Sequence, residues 1–400
     1  MCIQAGVGVS HHRNPRVAGQ EAATQAIAAA GVERPDFVFM FASVGYDQQT
    51  LLRAVSEATG RAPLCGCSGE GILAAGEADE SNFAVAVMAI RSDQIRFSNG
   101  MVTGLKQSSA TVGRAIAQAI QPDTMLDPMA LFLFPDGMTV NFDRLLANLE
   151  GELNLDPPLP LFGGASADNW TMKGTFQYFN DQVVTDGAVW ALLSGQAELA
   201  WAVSHGCVPI GSQRKVTRSE GNAIYEIDGK PVLEVLGEYL VGDEIGNWEQ
   251  AVVNVSIGLR APSHVQAYDE QYEYLITRFM PSSEDVQGGF VTIPTEVSAG
   301  TDIWVTRRDH EKIANGLERM AEQIKVQLGG HSAKLVFQFD CAGRGKVVFR
   351  EQQKLQLLKG LQEKVARDAP WMGFYTYGEI GPVGNHNCFH NYTAVVLAIH

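Results

Sequence analysis

"FVFMFASVGYDQQTLLRAVSEATGRAPLCGCSGEG", residues 37–71, is the stretch that decides the fold, because its pattern returns twice in the chain. An apolar run of strand length is followed by a glycine-containing turn, an amphipathic helix and a second short strand. The helix is indicated by Leu51, Leu52, Val55 and Ala58, which recur at helical spacing. Residues 37–71 therefore predict a β-α-β unit.

The second and third copies of this unit lie at residues 130–168 and 334–381. In each copy the second strand begins with Pro-[Leu/Trp]-[Cys/Phe/Met]-Gly, at Pro63, Pro160 and Pro370. A glycine-containing loop and a strand rich in alanine and valine follow each marker, and these strands lie at 82–90, 187–195 and 391–399. Generic β-α-β patterns resemble one another by chance, but a shared order of five elements argues for a true internal repeat.

We predict an α/β protein of two intimately packed domains with mixed β-sheets and internally repeated β-α-β units. The domains are residues 1–222 and 223–400, because the run at 218–240 changes character through a short strand, an Asp-Gly-Lys-Pro turn and a helix. Alternating apolar and polar residues around Asn180-Asp181 predict a β-hairpin within 174–193.

A late helix is predicted over residues 306–330, where apolar residues recur along one stripe. Thr306 with Asp309 resembles a capping box at its start, and Gly329-Gly330 supplies its end.

The composition is typical of a globular protein, with 46% hydrophobic and 19% charged residues in 400. A formal net charge of −15 disfavours nucleic acid and anionic membranes as partners. The N-terminus lacks the pattern of a secretory signal, and the longest apolar runs are too short to span a bilayer. Six scattered cysteines are typical of reduced thiols, so we predict a cytoplasmic protein.

Loops after neighbouring strands of an open α/β sheet converge where ligands bind. Six such loops are rich in glycine and small polar residues, and they lie at 43–47, 67–71, 134–139, 163–169, 340–345 and 377–385. Glycine permits close backbone approach, so exposed N–H groups could cradle a small anion. The loops match no phosphate-loop or dinucleotide-binding motif.

Each Pro-X-X-Gly strand also ends near one acid, namely Glu70, Asp168 or Glu379, and an amino group is the natural complement of these acids. The alternative is that the glycines only make tight turns and that the acids cap helices or face solvent.

The segment "GNHNCFHNYT" (384–393) places His386, Cys388 and His390 on one side of an extended chain, where three donors could meet on a metal. We favour a pocket-rim or structural role for His390 and Asn391 and assign no metal.

Haem needs one axial ligand in an apolar pocket and no CxxCH motif. His205 follows an apolar strand and is the candidate ligand, the alternative being a histidine satisfied at a strand end. Cys341 beside Arg344 resembles an activated thiol, since a neighbouring cation lowers a thiol pKa. No complete catalytic set is identifiable, and we predict that the protein is not an enzyme.

Several motifs, in this order, resemble the FIST proteins (F-box and intracellular signal transduction). They are "PLFGGASADN" (160–169), "FQYFNDQVVTDGAVWALLSG" (176–195), "FDCAGRG" (339–345), "GFYTYGEIGPV" (373–383) and "FHNYTAVVLAI" (389–399). The resemblance runs from Phe37 to His400 and includes both the N-terminal and the C-terminal FIST regions.

The resemblance implies a sensory module for small ligands, proposed to be amino acids or their derivatives. It also implies a partner signalling protein such as a histidine kinase, since the sequence contains no F-box, kinase or cyclase segment. A related branch binds haem and senses nitric oxide, so a haem-binding nitric-oxide sensor is the alternative function. A thiol-dependent enzyme using Cys341 ranks third.

The predicted ligand site draws on the converging loops and has four parts. Backbone and hydroxyl donors come from one loop, Asp168 and Glu379 receive a cationic group, Arg344 fixes an anionic one, and His390 with Asn391 closes the rim. The full set is Ser68, Glu70, Gly163, Gly164, Ser166, Asp168, Asn169, Cys341, Arg344, Glu379, His390 and Asn391.

Overall fold

A computed structural model describes residues 3–121, 123, 127–266, 273–279 and 283–400. The strands of the first half are β1 (Ile3–Ser10), β2 (Phe37–Ala42), β3 (Leu64–Ser68), β4 (Ile72–Ala74), β5 (Glu77–Asp79), β6 (Val85–Ser92), β7 (Ile95–Thr103), β8 (Pro128–Pro135), β9 (Leu161–Gly164), β10 (Gln177–Phe179), β11 (Gln182–Val184), β12 (Gly187–Gly195) and β13 (Leu199–His205). The strands of the second half are β14 (Cys207–Pro209), β15 (Arg214–Glu220), β16 (Ala223–Ile227), β17 (Lys230–Pro231), β18 (Val255–Arg260), β19 (Tyr274–Thr277), β20 (Val291–Thr292), β21 (Asp302–Arg308), β22 (Leu335–Cys341), β23 (Trp371–Thr376), β24 (Glu379–Val383), β25 (His386–His390) and β26 (Thr393–Ile399).

The helices alternate with these strands, as expected of an α/β protein. They are α1 (Pro15–Ala30), α2 (Gln48–Ala58), α3 (Leu105–Ile120), α4 (Phe142–Leu153), α5 (Val232–Gly237), α6 (Trp248–Asn254), α7 (Ser263–Gln266), α8 (Ser283–Gly288), α9 (His310–Leu328) and α10 (Glu351–Ala366). In the described part of the chain, no helix combines the length and the apolar character that a membrane crossing requires.

The three predicted β-α-β repeats are confirmed as three parallel strand pairs joined by a helix: β2-α2-β3, β8-α4-β9 and β22-α10-β23. The alanine- and valine-rich strand of each repeat returns antiparallel beside the first strand of its unit, as β6, β12 and β26. The repeats thus share backbone geometry as well as sequence pattern.

The glycine of each Pro-X-X-Gly marker occupies the same place in its strand pair. Gly66 lies opposite Met40, Gly163 opposite Leu133 and Gly373 opposite Gln338. A Cβ atom at these glycines would lie 1.8, 2.2 and 1.7 Å from the carbonyl oxygen of the opposite residue. The marker therefore contains glycine because the neighbouring backbone occupies the space of a side chain.

The strands form four sheets, and each of the first three contains one repeat. Their strand orders are β1-β6-β2-β3-β10-β11, β25-β24-β9-β8-β12-β7 and β13-β26-β22-β23-β4-β5. The fourth sheet has the order β17-β16-β15-β21-β18-β19, with β14 beside β21 and β20 beside β16. Strands β4 and β5 from the first half complete the third sheet, and β24 and β25 from the second half complete the second sheet.

Two layers of phenylalanine join the three repeated sheets in the core. Phe39, Phe132 and Phe337 hold equivalent positions, and their ring centroids lie 4.8–5.1 Å apart. Two residues further along each strand, the rings of Phe41, Phe134 and Phe339 lie 5.3–6.3 Å apart. All six are fully buried, so three like sheets face one approximate threefold axis.

The predicted hairpin is confirmed as β10 and β11, which turn at Asn180 and Asp181. The late helix begins four residues after the predicted start. Thr306 belongs to β21, where its hydroxyl bonds Ser256, and the N-cap of α9 is Asp309, which accepts the N–H of Lys312. The capping-box expectation is wrong because the extended strand continues through Arg308.

Candidate functional site

A ring of three backbone hydrogen bonds ties the repeats together at the carboxyl ends of β3, β9 and β23. In each bond, the N–H four residues after a marker glycine donates to the carbonyl two residues after the marker glycine of another repeat. The bonds are Glu70 N–H to Tyr375 O (2.9 Å), Ala167 N–H to Ser68 O (3.0 Å) and Tyr377 N–H to Ala165 O (3.0 Å). Three of the predicted ligand loops therefore do meet in space.

The second repeat departs from this symmetry by an insertion. The N–H groups of Ala165 and Tyr375 make equivalent bonds, because they donate to Gly378 O and Gly71 O, each five residues after a marker glycine. The N–H of Ser68 donates instead to Phe176 O, which lies thirteen residues after Gly163. Residues 168–175 are thus an extra loop of the second repeat.

The carboxylate of Asp168 holds this inserted loop. One oxygen accepts the Thr171 hydroxyl and the N–H groups of Lys173 and Gly174, and the other accepts the Tyr377 hydroxyl at 2.7 Å. Burial acts to raise the pKa of Asp168, but the hydrogen bond from Tyr377 and those from the loop outweigh it and lower the pKa.

The backbone of the loop is strained, because Asn169, Trp170 and Met172 have φ angles of 54°, 57° and 53° without being glycine. The side chains of Trp170 and Met172 point to a cavity, and they remain 38% and 50% exposed. The strained backbone of this loop therefore places two large apolar side chains at the cavity wall.

The cavity has a volume of about 400 Å³ and lies between the carboxyl ends of the third-sheet strands and the fourth sheet. The inserted loop supplies Trp170, the fourth sheet supplies Arg308 and Arg278, and the third sheet supplies Cys341. The remaining polar and aromatic wall comes from residues at strand ends, namely Thr376, Tyr377, Asn391 and Tyr392.

Two guanidinium groups face the cavity, each against an aromatic ring. The Cζ of Arg278 lies 5.5 Å from the Tyr377 ring centroid, and the Cζ of Arg308 lies 5.1 Å from that of Tyr392. The hydrogen-bond partners of the two groups are backbone carbonyls, of Gly137 for Arg278 and of Gly343 for Arg308. The Nε and Nη2 atoms of Arg308 are buried and have no partner among the described residues.

The other ionisable side chains of the cavity are uncharged at neutral pH. Burial raises the pKa of Cys341 well above its ordinary value, and the neighbouring Glu379 adds to this. Burial likewise raises the pKa values of Tyr377 and Tyr392. Among the described lining residues, the two arginines are thus the only charged groups.

Of the predicted site residues, Cys341 and Asn391 line this cavity. The side-chain oxygen of Asn391 accepts the backbone N–H of Arg278, at 3.0 Å, and so positions that arginine. The thiol-activation hypothesis for Cys341 gave the wrong direction of pKa shift, because burial dominates and the adjacent Arg344 is already paired.

Several other predicted residues build the support behind the cavity. Ser68 Oγ donates to Ala167 O, and Ser166 Oγ donates to Pro135 O. Asn169 donates to Glu70 O and accepts the N–H of Val44, so it links the inserted loop to the first repeat.

Glu70 is fully buried and forms an ion pair with Lys346 at 3.2 Å. Burial raises its pKa to about 7, against the lowering effect of Lys346. The amino group expected near the acids is thus supplied, for Glu70, by the protein itself.

The predicted anion-binding residue, Arg344, does not line the cavity. Its Nε donates to Asp340 at 2.8 Å and its Nη1 to Ser204 O at 3.3 Å, so its charge is neutralised inside the third sheet. Gly163 and Gly164 lie within β9 and pair with β24, which places their backbone in a sheet and not in an open cradle.

Glu379 and His390 face each other across β24 and β25, buried away from the cavity. Glu379 accepts the Thr376 hydroxyl and the N–H of Thr393, and burial raises its pKa to about 8. His390 contacts Gly381 O at 2.9 Å, and burial lowers its pKa to about 4. Both side chains are neutral at pH 7, so neither is a charged rim group.

His205 does not fit haem in this structure. The residue is buried, its Nδ1 accepts the N–H of Cys207, and its ring lies 5.4 Å from that of Tyr274. It does not line the 400 Å³ cavity.

His386 and Cys388 line a second cavity, of about 380 Å³, between β25 and the fourth sheet. The His386 ring lies 3.9 Å from that of His264. In the described part of the chain, three metal-ligating side chains converge at His11, Glu77 and Asp79, but both His11 nitrogens already contact a carboxylate.

Sequence reasoning missed the residues that give the cavity its charge and its aromatic wall. Arg308 ends β21 and Arg278 directly follows β19, and both strands belong to the fourth sheet, outside the repeats. The sequence signal for these residues is an arginine at or just after the end of a strand, which is too common to indicate a binding site. Tyr377 and Tyr392 lie within quoted motifs, beside residues that were selected.

The sequence matches two family models, the FIST N domain over residues 36–230 and the FIST C domain over residues 233–382. The chain belongs to the FIST family. FIST domains are small-ligand sensory domains, and a ligand-sized cavity between the FIST N and FIST C regions agrees with that class of function.

Relatives that align over nearly their whole length occur in mycobacteria. An uncharacterized protein of Mycobacterium tuberculosis is 28% identical over 408 residues, covering 98% of each chain, and one of Mycobacterium bovis is 26% identical, covering 98% of this chain and 97% of its own. Among solved structures, a chorismatase aligns over 100% of this chain and 99% of its own, at 8% identity and a TM-score of 0.40. A cyanuric acid hydrolase from A. caulinodans aligns over 49% and 71%, at 10% identity and a TM-score of 0.26.

Proposed function

We propose that this FIST protein is a cytoplasmic sensor that binds a small organic anion in the 400 Å³ cavity and signals through a partner protein such as a histidine kinase. The observation that carries the proposal is the pair Arg278 and Arg308, which faces the cavity without a carboxylate partner among the described residues. Buried charges and buried donors are normally paired, and Arg308 Nε and Nη2 have no partner among the described residues, which supports an anionic partner for this side chain.

Amino-acid derivatives without a free amino group fit the cavity better than free amino acids. The acids predicted to receive an amino group are used elsewhere, since Asp168 holds the inserted loop and Glu379 is buried and neutral. In the described lining no carboxylate faces the arginines. Trp170, Tyr377 and Tyr392 offer instead an aromatic wall for an apolar or planar ligand body.

Ligand binding would be transmitted because the cavity wall joins separate parts of the fold. Arg278 and Arg308 come from the fourth sheet, whereas Tyr377 and Trp170 come from loops of the repeated sheets. An anion held between them favours one arrangement of the fourth sheet over others, by as much as its affinity differs between the arrangements. A partner that contacts both parts would read this difference.

Thermal shift and calorimetry with a panel of carboxylates and N-acyl amino acids test the proposal. We expect at least one carboxylate to raise the melting temperature, and Arg308→Gln to remove that rise. Arg114→Gln is the matched control, because Arg114 lies exposed on α3 and bonds Asn148 outside the cavity. The proposal fails if no anion stabilises the protein, or if Arg308→Gln and Arg114→Gln bind every stabilising compound equally well.

A further inference from the structure

The cavity contains two arginines and no acid among its described lining residues, which is unusual beside the other arginines of the described chain that are not exposed. Arg214 pairs with Glu238, Arg307 with Glu244 and Arg344 with Asp340. Within the described residues, neither Arg278 nor Arg308 forms such an ion pair, although both line the same cavity. A chain with a net charge of −15 has many acids, so two cavity arginines without an acidic partner among the described residues are a specific arrangement.

Among the described residues, the acids that contact or adjoin the cavity lining do not offset this charge, and one of them, Glu70, is paired with Lys346. Asp168 is separated from the cavity by Tyr377, whose hydroxyl it accepts, and by the loop N–H groups that it also accepts. Asp340 is paired with Arg344. Glu379 is buried on its own hydrogen bonds to Thr376 and Thr393.

Both guanidinium groups are held in place with donors to spare. A guanidinium has five N–H donors in a fixed plane, and its edge matches the two oxygens of a carboxylate or phosphate. Each guanidinium lies over an aromatic ring, Tyr377 or Tyr392, and each donates to one backbone carbonyl, Gly137 O or Gly343 O. Arg308 Nε and Nη2 are buried and have no partner among the described residues.

We propose that the cavity selects organic dianions with a planar apolar body, and that the two negative charges are matched by Arg278 and Arg308. The aromatic side chains Trp170, Tyr377 and Tyr392 would pack on the planar body. This inference rests on the proposed function and sharpens it, because a monoanion would leave one of the two cations unpaired.

Three aromatic probes of similar size separate the charge of the ligand from its shape. Benzoate is a monoanion, isophthalate carries two carboxylates, and phenyl phosphate carries two charges on one group at pH 8. By calorimetry at pH 8 we expect one or both dianions to bind at least about tenfold more tightly than benzoate. The better dianion then shows whether separated carboxylates or a single phosphate group is preferred.

Arginine variants test whether both cations are needed to bind the second negative charge of the ligand. We expect Arg278→Gln and Arg308→Gln each to bring the dianion down to the affinity of benzoate, and Arg114→Gln to leave the preference intact. Without ligand, Arg308→Gln should melt at the wild-type temperature or above it, since it removes a charge that lacks a counter-ion; a purely structural role would lower it. Should Arg308→Gln not fold, Arg308→Lys keeps the charge and should keep the dianion preference.

The possible outcomes distinguish failure of this inference from failure of the proposed function on which it rests. If benzoate binds as tightly as both dianions, the cavity is an anion site that does not distinguish one negative charge from two. The dianion inference is then overturned, while the proposed function stands. If none of the three probes binds and the wider carboxylate panel also fails, both are overturned. A preference for dianions that survives both glutamine variants likewise contradicts the inference.

Discussion

Single glycines at the residue scale decide whether the strands of each repeat can pair. Gly373 lies opposite Gln338, and a Cβ there would meet Gln338 O at 1.7 Å. Because that atom is backbone, Gly373→Ala should lower the free energy of unfolding by about 3 kcal/mol, at the upper end of measured overpacking costs.

Gly360→Ala, in α10 of the same repeat, is the matched control, since nothing lies within 4 Å of its Cβ position. It should stabilise the protein by about 0.5–1 kcal/mol, because alanine suits a helix interior better than glycine. Urea unfolding measures both variants, and equal stability of the two would contradict the close approach at Gly373.

Glu379 should make the stability of the protein depend on pH. Burial raises its pKa to about 8 in the folded protein, from the ordinary value of 4.5 that it regains on unfolding. Between these values the folded state holds a proton that the unfolded chain has lost. Stability that is present below pH 4.5 is therefore lost as the pH rises towards 8, by up to about 1.4 kcal/mol per pH unit.

Glu379→Gln should remove this slope, because glutamine imitates the protonated acid and keeps a hydrogen bond to Thr376. In denaturant unfolding at pH 5 and pH 8, the free energy of unfolding of the variant should rise relative to that of the wild type as the pH rises. The exposed Glu57→Gln serves as the control. A constant difference between Glu379→Gln and the wild type at both pH values would mean that Glu379 does not titrate in this range.

At the scale of elements, the inserted loop 168–175 places Trp170 and Met172 at the wall of the proposed binding cavity. Asp168→Asn removes the charge that accepts the N–H groups of Lys173 and Gly174. We expect faster hydrogen exchange at these two amides and about tenfold weaker anion binding, because charge-assisted hydrogen bonds are the stronger ones.

Global stability should change much less than binding in Asp168→Asn. Asp47→Asn is the control, since Asp47 caps α2 by accepting the N–H of Thr50 and asparagine caps helices equally well. Unchanged exchange at Lys173 and Gly174 would show that the loop keeps its shape without the carboxylate.

Local patterns predicted the repeated elements, because strand, helix and marker glycine are each specified within one repeat. The hairpin at Asn180-Asp181 and the strands β6, β12 and β26 followed from the same short-range signals. The cavity did not follow, because its charges come from Arg308 at the end of β21 and Arg278 directly after β19, outside the repeats. Pairing of Arg344 with Asp340, four residues earlier, likewise depends on burial that periodicity does not report.

On the scale of the whole molecule, strands cross between the two predicted domains. β4 from the first half pairs with β23, β24 from the second half pairs with β9, and β13 pairs with β26. The first sheet lies wholly in the first half, whereas the other three sheets each combine strands from both halves. The boundary near residue 222 therefore remains a prediction.

We expect residues 1–222, expressed alone, to lack the cooperative thermal transition of the full-length protein, because β24 beside β9 and β26 beside β13 are missing. Co-expression with residues 223–400 should restore one, together with anion binding. Calorimetry and near-ultraviolet circular dichroism measure this. A fragment 1–222 that unfolds cooperatively by itself would contradict the shared sheets.

The ring of three bonds from Glu70, Ala167 and Tyr377 gives one polypeptide the closure of a cyclic trimer. In an assembly of identical subunits, any change at the axis would appear three times over. Here the three places are encoded separately, so an acid, a methyl group and a phenol can stand side by side. That freedom permits a single asymmetric pocket, with one ligand per molecule where strict symmetry would demand three.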